Sequence, residues 1–136
     1  MFFKKSAKDN SETLIFSDDY YLNNALRQNA ALVVFNVDGF IVDVSSQFCE
    51  LMGYKHVDIF GLHHRNLCEP AFSATSEYRE FWSKLIKGEL QGGIFKRVKK
   101  NKSTIHLDAR YFPIRNQSGE IYRIAKIAHD ASNLHL

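Results

Sequence analysis

The most continuously apolar stretch of the chain is Ala31-Leu32-Val33-Val34-Phe35, carried past Asn36 to Val37. An unbroken run of this length predicts a central strand of a sheet. Asp38-Gly39 follows, and the apolar segment Phe40 to Val44 after it predicts a hairpin closed by a type I′ turn. A second strand signal is strict alternation over Ser103 to Ile114. Ile105, Leu107, Ala109 and Tyr111 share one face, predicted to belong to the core; Thr104, His106, Asp108 and Arg110 share the other, open to solvent or covered by another element. Pro113 predicts an edge or a strand end, because proline has no N–H for a ladder. Gly93 to Lys99 predicts a further strand, turned near Asn101. Ile121 to about His129 predicts the last one, with apolar residues in both phases and therefore both faces buried.

Helical spacing is clearest at Tyr78, Phe81, Trp82, Leu85 and Ile86, which fall on one face of a predicted helix capped by Thr75 or Ser76 and stopped by Gly88. Ser45 or Ser46 predicts the cap of a short helix burying Phe48, Leu51 and Met52 and ended by Gly53. Ser17 or Asp18 predicts the start of another, from about Asp19 to Gln28, with a narrow apolar stripe of Tyr21, Leu22, Ala25 and Leu26. A helix so short needs something to dock on. The residues before it read as a tail or a lightly docked arm. From Gly53 to Pro70 neither period holds. Glycines and a proline break the segment into short turns, yet Tyr54, Val57, Ile59, Phe60, Leu62 and Leu67 make it too apolar for a solvated loop; it reads as the wall of a pocket.

Five strands with the middle helices gathered on one face imply an α+β sandwich of a single domain. The length of 136 residues, 45% hydrophobic and 13% aromatic, suits a folded core, and a net charge of +3 is too weak to imply nucleic acid. The denser run Lys96-Arg97-Val98-Lys99-Lys100-Asn101-Lys102 reads as a solvated strand edge and turn. Cys49 and Cys68 match no zinc-ligand spacing and read as packed thiols. No signal-peptide core and no run of about 20 apolar residues is present, so a cytoplasmic setting without membrane insertion is expected. His63 and His64 are the only adjacent histidines. One reading makes either of them an axial ligand of haem iron, and hence a metal ligand only if haem is bound; another makes them hydrogen-bonding residues of a turn. Glu69 near His64 comes with no nucleophile, triad or metal spacing, so the residues point away from an enzyme.

The order of elements, together with Asp38-Gly39, Phe48, Met52-Gly53-Tyr54, the Gly119 turn and Asp130, resembles a PAS domain. More specific marks are Gly61 with His63-His64, Cys68-Glu69-Pro70, Ser76-Glu77-Tyr78-Arg79 with Phe81-Trp82, Phe95-Lys96-Arg97, and Tyr111 with Pro113-Ile114. These are most similar to the PAS modules of bacterial methyl-accepting chemotaxis proteins, the aerotaxis and biofilm-dispersion types included. The sequence departs from that pattern at Ser45, where asparagine is usual, at His106, where tryptophan is usual, and in the ending Ala128 to Ser132.

The resemblance implies a five-stranded antiparallel sheet of order 2-1-5-4-3, with residues 1–29 as tail and flanking helix, 30–131 as the PAS domain and 132–136 as the start of a linker. It implies a sensory module in signal transduction that binds a small ligand or cofactor between sheet and helices, dimerises, and acts on a downstream chemoreceptor signalling module. A ligand-free dimerisation scaffold is the alternative. Haem, flavin or no cofactor at all remain open; the last strand lacks the tryptophan that haem-binding oxygen sensors of this kind use. His63, His64, Asn66, Leu107 and Tyr111 are the candidate ligand-binding residues. Tyr21, Leu22, Ala25, Leu26, His106, Asp108 and Arg110 are the candidate interface, and Asp130 is the expected exit of the signal.

Overall fold

The computed structural model describes residues 3–5 and 14–132. Residues 1–2, 6–13 and 133–136, with the parts of the expected tail and linker that fall on them, lie outside the described residues. A two-stranded ladder, β1 (Phe3–Lys5) with β2 (Leu14–Phe16), precedes helix α1 (Asp18–Asn29). The main sheet comprises β3 (Ala31–Asn36), β4 (Ile41–Val44), β5 (Gln91–Val98), β6 (Thr104–Arg115) and β7 (Ile121–Asp130). Its spatial order is β4-β3-β7-β6-β5, antiparallel throughout. Numbered among themselves, the five strands run 2-1-5-4-3, the order expected.

Each strand forms where its burial phase requires. On β6, Leu107, Ala109 and Tyr111 are buried while His106, Asp108 and Arg110 are exposed on the outer face. Consecutive residues Ile124, Ala125 and Lys126 of β7 are buried, so both faces of its middle are covered. Pro113 pairs with Ile124 on one side, and β5 has already ended opposite Tyr111 on the other. The missing N–H thus falls where β6 has become an edge.

The hairpin between β3 and β4 is not of type I′. Only Gly39 has positive φ, at +94°, and its N–H bonds back to the Asn36 carbonyl. A turn over Val37 and Asp38 followed by one left-handed glycine is the three-residue hairpin, which asks for a single positive φ rather than two.

Four short elements bridge β4 and β5: α2 (Ser46–Met52), α3 (His56–Ile59), a 3₁₀ turn (His64–Leu67) and α4 (Pro70–Ser73). The longer α5 (Ser76–Ile86) follows. Ser45 caps α2 and does more. Its hydroxyl accepts from the Leu32 amide at 2.8 Å and donates to the Ala30 carbonyl at 2.8 Å, tying α2 to the start of β3. The stretch 61–64 covers the free edge of β4, through Ile41 N–H to Leu62 O and His64 N–H to Gly39 O, both at 2.8 Å.

Helix α1 is expected to dock its stripe on the outer face of the sheet or on a second copy, and the structure bears on the first alternative. The helix lies over the outer face near β3, β4 and β7, held by the ion pair of Arg27 with Asp43 and by Gln47 bonding to the Gln28 carbonyl. Arg27 holds the Asp43 carboxyl below the usual carboxylate range. The stripe does not dock on the sheet: Tyr21 and Leu22 are each 59% exposed and Leu26 44%, with Ala25 exposed beside them. The outer row His106, Asp108 and Arg110 sits on β6, two strands from β3 in the sheet order.

On α5 the inner face is narrower than the spacing suggests. Tyr78 and Leu85 are buried, Phe81 and Trp82 are partly buried against the core, and Ile86 is 43% exposed. Neighbouring apolar residues of one helix should therefore respond differently. Leu85→Ala should lower stability by about 2–5 kcal/mol, whereas Ile86→Ala should stay within about 0.5 kcal/mol of the parent. Urea unfolding of the two variants checks this; equal losses would mean the helix is rotated from the face described.

Candidate functional site

The inner face of the sheet and the helical segment enclose a chamber whose chemistry is concentrated on His64. The turn that delivers His64 is fixed by its neighbours. The Arg65 amide donates to His63 Nδ1 at 3.0 Å, so His63 carries its proton on Nε2 and donates it to the Asp38 carbonyl at 2.7 Å. Asn66 Oδ1 accepts from the His63 amide at 3.1 Å. These reciprocal bonds form a capping box. Burial and Arg65 both oppose a charge on His63, and its pKa is lowered. The ring also lies over Gly39, where a Cβ would come within 2.6 Å of Nε2. Of the predicted ligand-binding residues, His63 and Asn66 therefore serve the turn at the surface, while His64, Leu107 and Tyr111 are brought into the interior.

His64 is fully buried. Its Nδ1 is 2.8 Å from the Tyr78 hydroxyl and its Nε2 2.9 Å from the Tyr111 hydroxyl. Arg97 Nη2 lies 3.2 Å from the same Tyr111 oxygen. A guanidinium can only donate, so Tyr111 accepts from Arg97. The assignment that leaves the deeply buried Tyr111 fully bonded has it donate to Nε2, with His64 Nδ1–H donating to Tyr78. The chain runs Arg97, Tyr111, His64, Tyr78. Phe35, Phe81 and Trp82 surround the imidazole with ring centroids at 5.3, 5.9 and 5.4 Å. Burial, then Arg97 and Lys126, hold the His64 pKa well below its ordinary value. Burial also pushes the Tyr78 hydroxyl and the Cys68 thiol up. Cys68 Sγ lies 3.8 Å from His64 Nδ1, but a protonated, buried thiol beside a neutral imidazole is no nucleophile.

Two residues of this chamber escaped the reading from sequence. Arg97, placed there in a solvated strand edge, is 2% exposed; Lys126, which drew no notice, is wholly buried on β7. Lys126 Nζ lies 5.2 and 5.0 Å from the ring centroids of Phe48 and Tyr111 and makes no hydrogen bond among the described residues; Arg97 Nε likewise has none. The desolvated ammonium has a lowered pKa. The signal for both was strand phase: Arg97 is two residues beyond the inward Phe95, and Lys126 lies between the inward Ile124 and Ala128.

The chamber is filled. Tyr111, Phe35, Phe48, Lys126, Met52, Leu107 and His64 are each under 2% exposed. A haem would have to take His64 from one of its tyrosines and displace the aromatic rings around it, and an isoalloxazine ring would meet the same packing. The residues present do not fit either group as folded, and among the described residues no cluster of His, Cys, Asp and Glu could hold a metal ion. A cleft of about 550 Å³ opens between α5 and β5, with Phe81, Phe95 and Arg97 on its wall. Glu69 of the α4 cap and Lys96 of β5 pair at 3.2 Å, and both also line this cleft.

Residues 41–128 match the family model of the PAS fold. The chain belongs to the PAS fold family. Over 110 residues it is 32% identical to the biofilm dispersion protein BdlA of Pseudomonas aeruginosa, covering 81% of this chain and 26% of that protein. The chain thus spans about a quarter of that relative's length. Among solved structures, a light-oxygen-voltage domain from work on a flavin analogue superposes with a TM-score of 0.70 at 23% identity, over 85% of this chain and 87% of that one. A PAS domain from Colwellia psychrerythraea superposes with a TM-score of 0.70 at 19% identity, over 83% and 97%. These two similarities show the PAS architecture. Among the described residues, no helix of this PAS domain is long and apolar enough to cross a membrane.

The depressed histidine has a consequence for stability. His64 is neutral when folded and titrates near pH 6.5 when unfolded, so below that pH the unfolded chain binds more protons. The contribution is complete above about pH 6.5 and is lost as pH falls, by up to about 1.4 kcal/mol per pH unit from this residue. His64→Gln, which keeps a donor and an acceptor, should flatten the dependence of the melting temperature on pH between 5 and 7. A slope equal to the parent's would mean that His64 is not the group responsible.

Proposed function

We propose that this PAS domain is the sensory module of a cytoplasmic bacterial signalling protein of the chemoreceptor type, and that it binds a small molecule without turning it over. The single observation that carries the reading is the position of Lys126. It stands in the chamber with unsatisfied hydrogen-bonding capacity, four residues before Asp130 at the end of the same strand. A ligand that engages Lys126 acts on the strand leading to the downstream module, and it shifts signalling only by its differential affinity for two packings of β7 against the helices. The similarity to BdlA supports the chemoreceptor-type setting.

The test is to equilibrate the chain with the small-molecule fraction of a bacterial extract and to measure its mass under native conditions together with amide exchange. A stoichiometric added mass, with slowed exchange from Ile124 to Asp130, is expected. An unchanged mass and unchanged exchange would favour a ligand-free scaffold.

The scaffold reading draws on a separate observation, the exposure of Leu22, Ala25 and Leu26 on α1. Pairing of two stripes in a homodimer is part of both readings, and the outer row of β6 is a separate candidate surface. Leu22→Asp combined with Leu26→Asp should convert a weak dimer into a monomer in sedimentation equilibrium. A parent chain that is monomeric at every concentration would remove the dimer from the proposal.

A further inference from the structure

Lys126 and Arg97 are cations on neighbouring parts of one interior, and among the described residues no carboxylate bonds to either side chain. Arg97 Nη1 bonds to the Lys96 carbonyl and Nη2 to Tyr111, while its Nε is left over; Lys126 Nζ rests on two aromatic faces. Both cations stand against Tyr111. Leaving charges desolvated without a counterion is costly, and a carboxylate between them would remove the cost with charge-assisted hydrogen bonds. The third titratable group against Tyr111, His64, has both ring nitrogens engaged and is not available to an anion.

A route exists. Arg97 is shared by the chamber and the cleft between α5 and β5, with Phe81 and Phe95 beside it. The rings suit an apolar body and the guanidinium a charged head, while Glu69, Glu77 and Glu80 on the same cleft, offset by Lys84 and Lys96, disfavour a second negative charge on the ligand. We infer that Arg97 and Lys126 form an anion-recognition pair, and that the ligand of this chamber is a small organic monocarboxylate entering from the α5–β5 cleft. This rests on the sensory reading above and gives it a ligand class. The chamber is filled as folded, so the ligand enters only as the packing between β7 and the helices opens, and a body no larger than one ring asks least of that opening.

The test titrates the whole chain, at fixed ionic strength, with acetate, benzoate and phenylacetate. Benzamide and phenylacetamide are the uncharged counterparts, and inorganic phosphate is a second kind of anion. Melting temperature and amide chemical shifts are read. At least one carboxylate should raise the melting temperature by several degrees at millimolar concentration and move the amides of Arg97, Tyr111 and Lys126, while its amide counterpart does neither.

Lys126→Met should raise the melting temperature of the ligand-free chain, because methionine occupies a similar volume without a buried charge. It should also lose the carboxylate response, and Arg97→Met should weaken that response at least tenfold in affinity. Lys126→Gln serves if the methionine variant does not fold. A response equal for acid and amide, a response to phosphate alone, no response to any carboxylate, or a response that survives both substitutions overturns the inference. Two outcomes separate it from the sensory reading. A neutral metabolite captured from the extract leaves the sensor standing without the anion pair. Carboxylate binding with unchanged exchange in β7 leaves the anion pair standing without the sensor.

Discussion

The structure depends on one buried imidazole. His64 comes from the irregular segment, Tyr78 from α5 and Tyr111 from β6, and the two hydrogen bonds of 2.8 and 2.9 Å join all three across the core. No regular ladder links these elements. What places the helical segment on the sheet is a neutral histidine that needs one donor and one acceptor and finds both. Burial keeps the ring neutral, and neutrality is what lets it bridge two hydroxyls. The aromatic rings around it add packing, but the polar contacts fix which residues face one another.

The fold was legible because periodicity reports burial directly. The alternation of Ile105, Leu107, Ala109 and Tyr111 set the inner face of β6, and the unbroken run at Val33 to Phe35 marked the strand that has partners on both sides. The chamber was legible only in part. His64 and Tyr111 were singled out for their chemistry and do meet. Arg97 reads as solvated because it belongs to a basic run, and Lys126 stands alone among apolar residues with nothing to single it out; for both, residue type and strand phase disagree. Phase prevailed, because a residue two positions from an inward Phe95 has nowhere else to point. The stripe on α1 leaves the sheet uncovered by its apolar residues, and of its two expected partners, the sheet or a second copy, the sheet is not the one it meets. Its spacing is helical, but the contact of α1 with the sheet runs through Arg27, paired with Asp43.

Superposition on a light-oxygen-voltage domain does not carry a flavin across with it. At 23% identity the shared property is the frame, and what the frame holds is set by side chains. Here those side chains fill the space between sheet and helices with Phe35, Phe48, Trp82 and Tyr111, and hold the imidazole at both nitrogens. A group the size of haem would require the network that organises the core to come apart.

The two cations look at first like a defect, since an apolar core of the same volume would be more stable. Their placement makes them otherwise. Each sits on a strand of the sheet, Arg97 on β5 and Lys126 on β7, with β6 and Tyr111 between them. A negative charge drawn to both would pull on the edge strand and on the strand that ends at Asp130, and it would do so against the same tyrosine that anchors His64. The hydroxyl of Tyr111 has few ways to be satisfied. Any change in what Arg97 and Lys126 contact must be passed through it to the imidazole, and from there to Tyr78 on α5. The polar groups that cost stability in the core are thus the ones through which occupancy of the chamber would be felt by both the sheet and the helices.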